Sequence, residues 1–80
     1  MIKWTLEDYK EALKEIDKLE HIAGAAFARW RASQDKEDWD LFVQVTYKLG
    51  NLIDEKTEQE VNSNLVLQYY GEMINKNLET

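Results

Sequence analysis

From Leu6 to Trp30 apolar residues recur at three- and four-residue intervals: Leu6, Tyr9, Leu13, Ile16, Ala23, Phe27 and Trp30, with Glu20 occupying one seam position. At ~3.6 residues per turn this spacing lines them along one stripe of a long helix. Such a stripe is stable only against another apolar surface, so the chain must pack helix on helix. With no proline and three glycines in 80 residues, little interrupts helical runs. The predicted fold is one all-α domain, 1–80: a small antiparallel three-helix bundle, alone or completed by homodimerisation.

Local signals place the helix ends. Thr5 followed by Asp8 forms a capping box with the shorter acid, so helix one is predicted over 5–32. Ser33-Gln34-Asp35 reads as a tight connection, with Ser33 or Asp35 as the next N-cap. Helix two, predicted over 35–55, carries Trp39, Phe42, Val43, Thr46, Leu49, Gly50 and Ile53 on one face. Thr57 and Glu60 give a second capping-box match, so helix three is predicted over 58–78. The alternative is that 54–60, rich in helix formers, continues helix two as a longer rod. The expected core is Leu6, Leu13, Ile16, Ala23, Phe27, Trp30, Trp39, Phe42, Val43, Leu49, Ile53, Leu65, Tyr69 and Met73. Gly24, Gly50 and Gly71 are expected to mark close packing, or in Gly71 a bend.

Charge and composition exclude several functions. Ten basic against sixteen acidic residues give a net charge of -6, which disfavours direct binding to nucleic acid or anionic membranes and suits a basic protein partner. Without cysteine there are no disulfides, thiolate metal ligands or thiol nucleophiles. No run approaches the ~18 apolar residues of a membrane span, and Met1-Ile2-Lys3-Trp4 leads into a charged helix rather than a signal-peptide core. The expectation is a soluble, cytoplasmic protein.

The chemistry-bearing residues do not assemble into a catalytic pattern. His21, the single histidine, has Asp17 and Glu20 nearby, but a zinc site needs three or four ligands. Asp35, Glu37, Asp38 and Asp40 lack the glycine and terminal glutamate of a calcium loop and suit a helix N-terminus. Ser33 and Ser63 lie in no nucleophile-elbow pattern, and the glycines form no phosphate loop. The chain is therefore expected to be non-enzymatic, with no metal or cofactor. Arg29, Trp30 and Arg31 form the basic-aromatic cluster, a candidate site for a small anionic ligand together with Trp4 and His21.

The last segment carries the functional expectation. Its apolar residues, Leu65, Val66, Leu67, Tyr69, Tyr70, Met73, Ile74 and Leu78, cover roughly 220° of a helical wheel, against the ~100–140° that one-sided packing needs. Either two neighbours bury that helix, or its spare edge of Leu67, Tyr70, Ile74 and Leu78 meets another chain. The leading expectation is a protein-protein interaction module of adaptor or inhibitor type, prone to homo-oligomerisation. A second is an inhibitor mimicking nucleic acid through Asp35, Glu37, Asp38 and Asp40 with Asp54, Glu55 and Glu58, two clusters about 19 residues or ~28 Å apart on a straight helix. A third is sequestration of an anionic or nucleotide ligand. In size, acidity and helical content the chain is similar to small bacterial immunity proteins and phage-encoded host inhibitors, with no motif of either matched residue by residue.

Overall fold

The computed structural model of the chain describes residues 2–79. Among them are three α-helices and no strand: α1 Leu6–Ser33, α2 Lys36–Val61 and α3 Leu65–Glu79. α1 starts on the expected box, with the Thr5 hydroxyl accepting from the Asp8 N–H and the Asp8 carboxylate accepting from the Thr5 N–H. Gln34 ends it in the left-handed region, φ 57°, its N–H donating to the Trp30 carbonyl at 2.7 Å. A non-glycine residue there costs ~1–2 kcal/mol, so the reversal is made at some expense. Asp35 is the N-cap of α2, accepting from the Glu37 N–H.

α2 does not stop at residue 55. It runs unbroken through Asp54-Glu55-Lys56 to Val61, so helix two is the longer rod and the predicted start of helix three at 58 is overturned. Thr57 caps nothing; its hydroxyl donates back to the Ile53 carbonyl within the helix. Glu60 pairs with Lys56 at 2.9 Å across one turn. The break falls at Asn62-Ser63-Asn64, whose short polar side chains compete for backbone hydrogen bonds. Ser63 does so, donating to the Gln59 carbonyl.

α1 packs mainly on α2. Trp30 meets Trp39 and Phe27 meets Phe42 beside the turn, while Tyr9 donates to Glu60 at the far end. The start of α1 therefore lies beside the end of α2, and these pairs keep one register along the whole seam. The most buried residues of the seam are mostly small, Ala12, Ala23, Ala26 and Val45 with Tyr9 at the far end. Helices that meet through alanine approach closely, and the larger side chains are pushed to the flanks. This corrects the expected core. Phe27, Trp39, Val43, Ile53 and Met73 are exposed, at 38–47% of their surface, while Tyr9, Ala12, Ala26 and Val45 are buried instead. The glycine expectation also fails within the chain, because a Cβ on Gly24, Gly50 or Gly71 would meet nothing within 4 Å.

α3 lies against the first turns of α1, through Tyr69 on Tyr9 and Glu72 on Lys10, and Leu65 at its start is the most deeply buried large side chain. It does not run the length of the other two helices. The molecule measures 48 × 36 × 14 Å between Cα atoms, with a radius of gyration of 16.4 Å, against about 12 Å for a compact 80-residue domain. The fold is an α1–α2 pair with α3 set across one end.

Candidate functional site

α3 has two sides. Leu65, Tyr69, Glu72 and Met73 turn toward α1 and α2, where Tyr69 packs edge-on against Tyr9 with ring centroids 5.8 Å apart. At ~100° per residue, Leu67, Tyr70, Ile74 and Leu78 fall within ~80° of one another on the other side. These four are exposed, at 74%, 57%, 57% and 80%. They form a continuous uncharged strip at spacings of three, four and four residues.

Polar contacts anchor this helix at the open end of the pair. Lys10 bridges to Glu72 at 2.5 Å and to Glu7 at 3.5 Å. The Glu72 hydrogen bond raises the Lys10 pKa, and the same contact lowers that of Glu72. Burial, then the hydrogen bond to Glu60, pushes the Tyr9 hydroxyl far above its usual range, so it remains a neutral donor. Glu60 is held below the usual carboxylate range by Tyr9 first and Lys56 second. Beside these contacts a shallow groove of about 440 Å³ separates α1 from α3, bordered by Lys10, Leu13, Lys14, Tyr69, Met73 and Lys76.

Gln59 completes this end, and no pattern in the sequence marks it. It is buried, its carbonyl oxygen accepting from the Trp4 N–H and its amide donating to the Ile2 carbonyl, both at 2.9 Å. A glutamine among acids reads as solvated surface; only the return of the N-terminal segment past α2 gives it partners. Trp4 is thereby held at the end of α1 opposite Trp30, roughly 39 Å away along the helix.

The other candidate residues are dispersed. Arg29 and Arg31 are exposed and lie ~200° apart around α1, while Trp30 is turned into the ring cluster with Phe27 and Trp39. Arg29, Trp30 and Arg31 therefore do not converge on one ligand, nor do Trp4 and His21 join them. His21 is exposed and bonds the Asp17 carbonyl at 2.8 Å, which raises its pKa together with the Asp17 charge. Among the described residues no group of three or more His, Cys, Asp or Glu is placed to hold a metal ion. No described helix is long and apolar enough to cross a membrane.

The acidic clusters differ from each other. Asp35 and Asp38 serve the turn, Asp35 as N-cap and Asp38 by accepting from the Ser33 hydroxyl at 2.7 Å. Glu37, Asp40, Asp54, Glu55 and Glu58 are exposed. Because α2 is unbroken, these five share one outward-facing ~100° arc of a single rod. No protein-family model matches the chain, and no curated protein or solved structure is significantly similar to it.

Proposed function

We propose that the chain is a non-enzymatic protein-protein interaction module that presents the outer side of α3 to a protein partner and completes its own fold by pairing with a second copy. The observation carrying the first part is the exposed strip of Leu67, Tyr70, Ile74 and Leu78. An uncharged stripe at helical spacing fits an apolar groove on another protein, its residues at i, i+3, i+7 and i+11 acting as anchors. The acidic surface around it, from a net charge of -6, favours a groove with a basic rim and speeds encounter. Paired replacement of Tyr70 and Ile74 by lysine tests this: partner binding should be lost while far-UV circular dichroism is unchanged. Retained binding would reject the strip.

One observation favours a second reading, an acidic inhibitor that imitates a nucleic-acid backbone. The unbroken α2 sets Asp40 and Glu37 on the same arc as Asp54, Glu55 and Glu58. Charge reversal at Asp54, Glu55 and Glu58 separates the readings, abolishing binding under the second and leaving strip-mediated binding in place under the first.

A further inference from the structure

A chain of 9.5 kDa folded compactly exposes about 5,000 Å². This one exposes 6193 Å², a surplus of about 1,200 Å². The exposed apolar residues lie on the outer side of α3 and also on the α1–α2 pair, where Phe27, Trp39, Val43 and Ile53 keep 38–47% of their surface. At ~100° per residue, Trp39, Val43, Thr46, Gly50 and Ile53 occupy ~80° of α2 beside the seam, without a charge among them. Phe27, touching Phe42, carries the face onto α1, where Gly24 follows it and the exposed Glu20 and Arg31 lie on the same arc. α3 meets α1 near residues 7–14, so about 18 residues of α1, ~27 Å, have α2 beside them but no described residue of α3 over them.

Resting on the self-pairing in the reading above, we infer that this bare face is the dimer interface and that its occupant is the same face of a second copy, turned end for end about a two-fold axis that crosses α1 at Gly24 and α2 between Val43 and Thr46. The inference rests on self-complementarity. The uncovered stretch of α1, Ile16 to Ser33, has its midpoint at Gly24, and in the observed register Gly24 is level with Val45 of α2. A half turn there lays α2 on α2, with Trp39 over Gly50 of the other copy and Val43 over Thr46 of the other copy. The large side chains at the turn end thus meet the small ones further along, where a Cβ on Gly50 finds open space within its own chain. On α1 the half turn sets Arg31 beside Asp17 of the other copy, pairing opposite charges, and brings the two Gly24 positions together where the helices are nearest. The α3 helices of both copies flank the ends of the face.

The area is adequate. A standard specific interface removes about 1,600 Å² in all, ~800 Å² from each copy, which is less than the surplus each chain carries. The two pairs form four helices in two layers, which supplies the opposing surface that helices with an apolar stripe require.

Sedimentation equilibrium of the full chain between micromolar and hundred-micromolar concentration tests the inference. The expected result is a reversible dimer of twice the 9.5 kDa chain mass. Gly50→Trp fills the hole, its Cβ entering open space within its own chain, and Val43→Glu puts a charge against the other copy. Each should raise the dissociation constant at least about tenfold with helicity retained, whereas Tyr70→Lys with Ile74→Lys should not. A dimer that survives both face variants but dissociates with the Tyr70 and Ile74 pair would place self-association on α3 and overturn the inference while leaving self-pairing intact. A strict monomer across the range would overturn both, leaving partner binding by α3 to be judged separately.

Discussion

At the open end of the α1–α2 pair Tyr9, Gln59 and Leu65 are buried, at 4%, 3% and 2% exposure, whereas at the turn end Phe27 and Trp39 keep 39% and 40%. Both ends carry aromatic rings in contact: Tyr9 with Tyr69 at one, Phe27, Trp30, Trp39 and Phe42 at the other. The difference is a third element. α3 and the N-terminal segment cover the open end, and among the described residues no third element reaches the turn end. Two helices packed through alanine cannot cover their own large side chains, so apolar residue type alone does not make a core; a helix must be placed over it.

The largest effect that would break this contrast is expected from Leu65→Ala, at about 2–4 kcal/mol in urea unfolding. Val43→Ala, measured at concentrations where the chain is monomeric, should cost less than about 1 kcal/mol because that side chain is half in water. Equal costs would mean that the two ends are covered alike. Gln59→Leu comes next: it leaves the Trp4 N–H and the Ile2 carbonyl without partners, for about 1–3 kcal/mol in the same assay. At the turn end Gln34→Gly should raise stability by about 0.5–1 kcal/mol, seen as a higher Tm, because glycine accepts the left-handed backbone without a Cβ penalty.

The smallest effect is that of pH, since the groups involved keep water contact and are screened. Glu60 and Glu72 titrate below their ordinary value of 4.5 in the fold. Their contribution is complete above that pH and is lost as pH falls through the lowered values. Tyr9 and Lys10 titrate above 10.0 and 10.5, so their contribution is complete below those values and is lost as pH rises past them. Thermal melts should therefore change little between about pH 5 and 9.5, apart from a small loss as pH rises through the raised value of the exposed His21, and Glu60→Gln should flatten the acid limb in part, leaving the share of Glu72.

Much of this was legible in the residues. The Thr5–Asp8 box and the α2 cap are contacts among neighbours in sequence; the box forms as written, and of the two caps offered, Ser33 and Asp35, the helix uses Asp35. The Thr57–Glu60 match misleads because the same two residue types also serve inside a helix: a threonine hydroxyl bonds back to the Ile53 carbonyl, and Glu60 is drawn to Lys56 and Tyr9. The Asn62-Ser63-Asn64 break was available as a composition signal and is the better boundary. The exposed strip of α3 follows from an apolar arc wider than one neighbour covers. The bare face beside the turn does not, because Phe27, Trp39, Val43 and Ile53 have the spacing of core residues whether or not anything lies over them.

Taken alone, the sequence determined the all-helical class, the first two helix starts and the surplus apolar edge of α3, since propensity, capping and periodicity act over a few residues of chain. The placement of α3 across one end, the burial of Gln59 and the exposure of the aromatic flank were decided only in three dimensions. Those outcomes depend on which helix stands over which, and helical periodicity specifies the direction in which a side chain points without specifying what meets it there.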